Sequence, residues 1–385
     1  MDIPLSHERQ MVIDEVKRFV EREVIPVAHQ LEHDDVYPFD LIEKLKALGV
    51  FSATIPEAYG GLGLDFLTYS QVIEQLARGW MSLAGIVNTH ILVAYMLQTY
   101  GTEEQRHTFL PVMGEGDKRG GICLSEANAG SDVQAITMTA TREEDNYMLN
   151  GSKLWVTNGL HGSIFAVLAR TDTNAYPPYR GMSVFIVEKG TPGLSVSRTF
   201  EKLGYKGVET AELVFDHVRV PAARLLGGKE GEGFRHAMSG LEVGRINVAA
   251  RAVGVAQAAF DDAIRYAQQR QTFGKPIAQH QAIQIKLADM ATRIEAARLL
   301  LQHAARKKDG GERCDLEAGM AKLFATEMCQ EVTLEAMRIH GGYGYTKEFN
   351  VERYYRDAPF MLVAEGTSEI QKLVIARQLL EKYKA

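Results

Sequence analysis

Disulfides cannot organise this chain: 385 residues hold three cysteines, Cys123, Cys314 and Cys329, too few for a framework and suited to a reducing compartment. A basic surplus is also missing. Forty-three Lys and Arg stand against 49 Asp and Glu, a net charge of −6, and no basic stripe gathers them, which argues against a dedicated nucleic-acid binder. The most apolar run, Met81 to Leu97, is broken by Asn88, Thr89 and His90 and falls short of the roughly 20 apolar residues of a membrane span. The opening MDIPLSHERQ lacks the apolar stretch of a signal peptide. A soluble cytoplasmic protein with neither membrane nor nucleic-acid partner is expected. With 46% hydrophobic and 24% charged residues, disorder and fibrous architectures are excluded.

Familiar motifs are absent as well. Gly61/Gly63 and Gly342/Gly344 approach G-x-G-x-x-G without completing it, and no Walker loop, G-x-S-x-G or H-E-x-x-H occurs. His29 and His33, four apart on a helix, have no visible third ligand, so no metal site is expected.

What is present falls into three zones. Residues 1–117 carry helical periodicity: Val12, Val16, Phe19, Val20 and Val24 with Ser6 as N-cap, then Phe39–Leu48, Tyr69–Arg78, Leu83–Tyr100 and Glu103–Met113, around a loop at Ile55–Asp65. Residues 118–228 hold short β-branched and aromatic runs, among them Tyr147–Leu149, Leu154–Thr157, Phe165–Ala169, Ser183–Val187 and Ala211–Phe215. Turn signals at Asn150-Gly151, Asn158-Gly159, Pro177-Pro178 and Pro192-Gly193 separate them. Residues 229–385 return to helices: Leu241–Arg270, Gln281–Lys308 stopped by Gly310-Gly311, Cys314–His340, and Glu369 onward behind a Ser368/Gln371 capping box. The fold class expected is α+β: an N-terminal all-α domain, a middle antiparallel β-barrel or sandwich, and a C-terminal four-helix bundle.

Four segments carry chemistry. ICLSEANAGSD (Ile122–Asp132) offers donors from Ser125 and Gly130-Ser131, or is a plain polar loop. In KLWVTNG (Lys153–Gly159), Trp155 is either core or a flat wall for an aromatic cofactor. In RQTFGKPIAQHQ, Arg270 grips a phosphate or caps its helix. In the last, Arg338–Arg377, Gly341, Gly342 and Gly344 allow close backbone approach. There Glu365 follows the apolar Met361-Leu362-Val363-Ala364 and precedes a helix N-terminus. That setting suits either a general base or a carboxylate complementing the helix dipole.

In this order these segments resemble the acyl-CoA dehydrogenase family over nearly the whole chain. The resemblance implies FAD, with Leu124, Ser125 and Ser131 along the flavin ring and Trp155 and Thr157 on its other side. Arg270, Phe273 and Gln281 would reach the dinucleotide from a neighbouring subunit, and Arg338, Gly341 and Gly342 would meet its pyrophosphate and adenosine part. Thr367 and Glu369 match cofactor-touching positions. Ser131, Arg245 and Gly366 match acyl-CoA contacts. A site shared between subunits implies a homo-oligomer, a tetramer by family habit, and an electron-transferring flavoprotein as acceptor.

Glu365 matches the family's catalytic base. Some members carry that base at the position of Gly244, which cannot take a proton, so Glu365 stands alone. It would remove the α-proton of an acyl-CoA thioester while hydride passes to flavin N5. The Glu365 N–H and a ribityl hydroxyl would hold the carbonyl oxygen. Departures are Ala127-Asn128 where relatives often have Pro-Gly, and Arg338 where many have Gln. Ala364 stands where several straight-chain members have Tyr, which favours a short or α-branched acyl group. The rivals are an acyl-CoA oxidase, which usually has a longer C-terminal region, and a non-enzymatic binding protein on the same fold.

Overall fold

The computed structural model describes residues 6–384, which leaves Leu5 outside. Helix α1 (His7–Phe19) begins at Ser6, whose Oγ accepts the Arg9 N–H at 3.4 Å, as the capping pattern predicts. A π-turn at Val20–Val24 leads into α2 (Ile25–His33), then α3 (Phe39–Ala47), α4 (Phe66–Gly79), α5 (Met81–Tyr100) and α6 (Glu103–Gly114). The Ile55–Asp65 loop forms as expected, with one 3₁₀ turn at Glu57–Tyr59.

Helix α5 is long and apolar enough to cross a membrane, but 94% of its apolar window is buried inside the protein. It is a core helix. Its three polar interruptions each reach a different neighbour. Asn88 bonds Glu365, and Thr89 Oγ1 accepts from Asn158. His90 bridges the Phe51 carbonyl and the Gly120 N–H. Because Gly120 donates to Nδ1, His90 is neutral, and burial lowers its pKa to about 4.

Seven strands follow: β1 (Gly120–Cys123), β2 (Thr139–Glu143), β3 (Asn146–Thr157), β4 (Ile164–Arg170), β5 (Met182–Glu188), β6 (Leu194–Thr199) and β7 (Thr210–Pro221). They make one sheet in the order β1-β4-β2-β3-β7-β6, with β5 also on β4. The sheet is not antiparallel throughout. β1 and β2 both run parallel to β4, at Gly120↔Ile164 and Thr139↔Arg170, because no tight turn joins either to β4. Asn150-Gly151 is not a turn but a bulge inside β3, with Gly151 at φ 145° and a register shift against β7. β4 is buried on both faces. Ile164, Ala166 and Leu168 pack with Val93 and Leu97 of α5, while Phe165 and Val167 pack with Leu213 and Phe215 of β7.

The C-terminal zone contains α7 (Gly233–Gln269), a hairpin β8 (Gln271–Thr272) and β9 (Lys275–Pro276), α8 (Gln281–Asp309), α9 (Asp315–His340), α10 (Val351–Val363) and α11 (Ser368–Lys382). The four expected helices are joined by a fifth, α10, which Pro359 and the preceding glycine run hide from sequence reading. Ala249, Ala252, Ala256, Ala259 and Ala263 of α7 are buried in one core with Ala318, Ala321 and Ala325 of α9. Small side chains of this kind let helices approach closely. The cap of α11 differs from expectation. Thr367, extended at ψ 163°, is the N-cap and accepts from Ile370 N at 3.3 Å, while Ser368 is already helical. Gln371 points away from the cap to the turn before it.

Candidate active site

Two of the four sequence segments are stitched together by a buried ion pair. Lys153 is fully buried, and its Nζ donates to Glu126 Oε1 at 2.8 Å and to the Leu124 carbonyl at 3.0 Å. Glu126 also accepts from Thr137 N (2.6 Å), Thr137 Oγ1 (2.8 Å) and Met138 N (3.0 Å). Burial alone would raise the Glu126 pKa, yet Lys153 and the Thr137 donors hold it below the usual carboxylate value. Leu154 N donates to the Ser125 carbonyl at 2.9 Å, closing the seam.

At the end of that seam β3 bulges against β7. Trp155 takes φ 62°, an outlier for a bulky residue, and lies 58% exposed against Phe200 at 4.4 Å. Of the two readings left open for Trp155, the core is excluded. Thr157, two residues on, is buried. Asn158 Nδ2 fixes the turn through the Ile86 and Gly120 carbonyls and Thr89 Oγ1. Leu124 is buried, Ser125 half-buried and Ser131 exposed.

Glu365 occupies the turn between α10 and α11 at φ 56°, followed by Gly366 at φ 90°. A left-handed Glu is unusual, and two side chains hold it there. Lys322 Nζ donates to the Leu362 (3.2 Å) and Gly366 (2.8 Å) carbonyls, and Gln371 Nε2 donates to the Glu365 and Gly366 carbonyls at 3.1 Å each. Lys322 is fully buried, and burial lowers its pKa to about 8. Asn88 Nδ2 donates to Glu365 Oε1 at 3.1 Å, whereas Oε2 is sealed from solvent without a partner. Facing it is Gly244 of α7. A Cβ there would stand 2.7 Å from Oε2, so the carboxylate occupies space that residue 244 leaves empty. Burial raises the Glu365 pKa above its ordinary 4.5, with Arg251 and Asn88 pulling the other way.

Tyr205 connects the two halves. Its hydroxyl meets Thr157 and Arg251, its ring stacks on Phe360 at 4.3 Å, and its N–H donates to Asp357 Oδ1 at 2.6 Å. Arg245 is buried and paired with Asp315 at 3.1 Å. Thr367 caps α11, and the exposed Glu369 stands in its first turn. The remaining sequence candidates stand apart. Arg270 is exposed just before the β8–β9 hairpin, Gln281 is exposed at the first residue of α8, and Phe273 at the hairpin tip is 96% exposed with φ 51°. Arg338 is exposed and pairs with Glu335, next to the open Gly341 and Gly342. Among the described residues no His, Cys, Asp or Glu cluster could hold a metal. His33 pairs with Glu352 at 2.9 Å and His29 with Asn350 at 3.3 Å. Asn88, Lys322, Gln371, Arg251 and Tyr205 were missed from sequence. The one available signal was a polar residue inside the apolar run of α5.

Family models for the N-terminal, middle and C-terminal domains of acyl-CoA dehydrogenases match residues 6–117, 121–218 and 231–380. The chain belongs to the acyl-CoA dehydrogenase family. It is 43% identical to an acyl-CoA dehydrogenase of Bacillus subtilis, over 98% of this chain and 99% of that one. It resembles the solved butyryl-CoA dehydrogenase of Megasphaera elsdenii at TM-score 0.96 and 40% identity, covering 99% and 100% of the two chains. The same score, identity and coverage relate it to a structure solved in work on the electron transferring flavoprotein of Acidaminococcus fermentans and flavin-based electron bifurcation. This acyl-CoA dehydrogenase is therefore an FAD enzyme that dehydrogenates an acyl-CoA thioester. The residues fit a flavin. A strained, exposed indole, a buried threonine and a loop with Gly130 open to solvent make a flat wall beside polar donors.

Asn88 yields a prediction here. With the Asn88→Ala change Glu365 loses the amide that favours its charged form, so if Glu365 takes the substrate proton, the acid limb of the flavin-reduction pH profile should move to higher pH. An unmoved profile in stopped-flow measurements contradicts the contact.

Proposed function

We propose that Glu365 is the catalytic base of a dehydrogenase for short or α-branched acyl-CoA thioesters, giving the trans-2-enoyl-CoA. The observation that carries this reading is the sealed, unpartnered Oε2 facing Gly244. Leu124, Ser125, Ser131, Trp155 and Thr157 of one protomer, with Thr367 and Glu369, would hold FAD. Arg270, Phe273, Gln281, Arg338, Gly341 and Gly342 would reach it from another copy. Bound FAD supplies the acceptor for the β-hydride.

The protein's part is positional. Lys322 and Gln371 hold the turn so that Glu365 presents one oxygen, and Asn88 occupies the other. The α C–H bond breaks with its proton passing to Oε2. The backbone N–H of Glu365 supports charge developing on the thioester oxygen. Ser131, Arg245 and Gly366 would meet the acyl-CoA. Ala364 leaves width for an α-branch beside the reacting carbon. The exposed Phe273 hairpin supports assembly into a tetramer, with each partner's flavin site completed across the contact. An electron-transferring flavoprotein is the proposed reoxidant.

Anaerobic flavin bleaching by butyryl-, isobutyryl- and octanoyl-CoA tests the reading. The first two should bleach faster, and a preference for octanoyl-CoA contradicts the proposed acyl size. Arg270→Ala removes a charge-assisted contact worth about 1.5–3 kcal/mol, so that variant should lose FAD on gel filtration. Full retention contradicts its role.

A further inference from the structure

One buried cation beside the base touches no carboxylate among the described residues: Arg251 acts on Glu365 through space, without a hydrogen bond or ion pair between them. Arg251 is 1% exposed, and its Nε and Nη1 are sealed from solvent without a hydrogen-bond partner. Among the described residues it forms no ion pair. It lies beside the stacked rings of Tyr205 and Phe360, 5.8 Å from each centroid, and meets the Tyr205 hydroxyl. An isolated buried cation is costly unless an anion joins it.

Its place in the fold says where that anion would come from. Arg251 follows Gly244 by seven residues on α7, two turns along the same face and about 10 Å along the axis. Helical side chains lean back towards the N-terminus, so the guanidinium reaches towards the Glu365 carboxylate that Gly244 faces. Asn247, on the turn between them, donates to the Tyr69 hydroxyl at 2.8 Å and leaves its own Oδ1 sealed and unpartnered. The floor of this space is polar and cationic, which an unsubstituted hydrocarbon tail cannot satisfy.

We propose that Arg251 is the specificity-determining residue at the far end of the acyl chamber and that the acyl group taken ends in a carboxylate. This rests on Glu365 being the base, since the chamber is measured from it. A chain that holds its α-carbon at Oε2 and spans a few bonds to the guanidinium is a four- or five-carbon diacid monothioester. It brings a carboxylate to the Nε and Nη1 that have no partner in the fold.

The test is the reductive half-reaction of the FAD-loaded enzyme with glutaryl-CoA and with butyryl-CoA, in the natural sequence and in Arg251→Gln and Arg251→Lys. The natural enzyme should favour glutaryl-CoA, and Arg251→Gln should lower the glutaryl-to-butyryl ratio of kcat/KM by roughly 100-fold or more. Arg251→Lys, which keeps the charge, should retain part of the ratio. A natural preference for butyryl-CoA, or an unchanged ratio in Arg251→Gln, overturns the proposal. So does loss of FAD from Arg251→Gln with the ratio intact, because the guanidinium then serves the cofactor. Glu365→Gln run alongside separates the two readings. If it still bleaches with both thioesters the base assignment fails, and if it is inert while the ratio stands only the Arg251 assignment fails.

Discussion

Lys153→Met should destabilise the enzyme by about 3–5 kcal/mol and strip it of FAD. Removing one member of a buried pair leaves the other as an uncompensated charge, and Glu126 is 8% exposed with no other cation bonded to it among the described residues. The same ammonium also holds the Leu124 carbonyl, so the loop from Ile122 to Asp132 loses its tie to β3. Far-UV melting and the flavin-to-protein ratio after gel filtration measure both effects. Native-like melting with full flavin content contradicts the role given to the pair. Lys153→Met combined with Glu126→Met should regain much of the lost stability, because an apolar replacement of both partners leaves no buried charge. The pair also sets an acid limit. Glu126 is held below its ordinary 4.5 in the fold, so its contribution is complete above that value and is lost as pH falls through the lower folded value.

The helices and the order of the three zones were legible because their apolar spacing is strong and their caps conventional, as at Ser6 and Gly310. The sheet was less so. β2 and β6 are largely exposed and carry charge, and parallel pairing on β4 leaves no local trace. Asn150-Gly151 read as a turn because the dipeptide allows one, but cross-strand pairing with β7 carried the strand through it as a bulge. In the site, Glu365 was legible from its resemblance and apolar setting. Its supports were not: Asn88 lies 277 residues away in sequence, and Lys322 acts on backbone carbonyls. The Lys153 pair was missed because a lysine in a strand usually marks an exposed face. Trp155 could not be assigned without the backbone, since its exposure follows from a positive φ.

Glu365→Gln should fold, bind FAD and fail at proton abstraction. The amide matches the carboxylate in size, can still bond Asn88, and leaves the Lys322 and Gln371 contacts with the backbone untouched. It cannot take a proton, and general-base catalysis contributes about 10²–10⁴-fold. Gly244 offers no substitute group. The close approach of residues 244 and 365 dictates how a relocated base would be built. A side chain at 244 would collide with residue 365, 2.7 Å from its Oε2, so Gly244→Glu should restore activity with Glu365→Gly and not with Glu365→Gln.

The most direct measurement is the anaerobic rate of flavin bleaching by butyryl-CoA across pH, in the natural enzyme and in Glu365→Gln. Burial lifts the Glu365 pKa above 4.5, and only the deprotonated form accepts the α-proton, so the natural rate should rise with pH through a midpoint above that value. In Glu365→Gln the rate should be lower by two orders of magnitude or more, and that rise should be gone. A variant that bleaches at near the natural rate with the same acid limb would contradict Glu365 as the base.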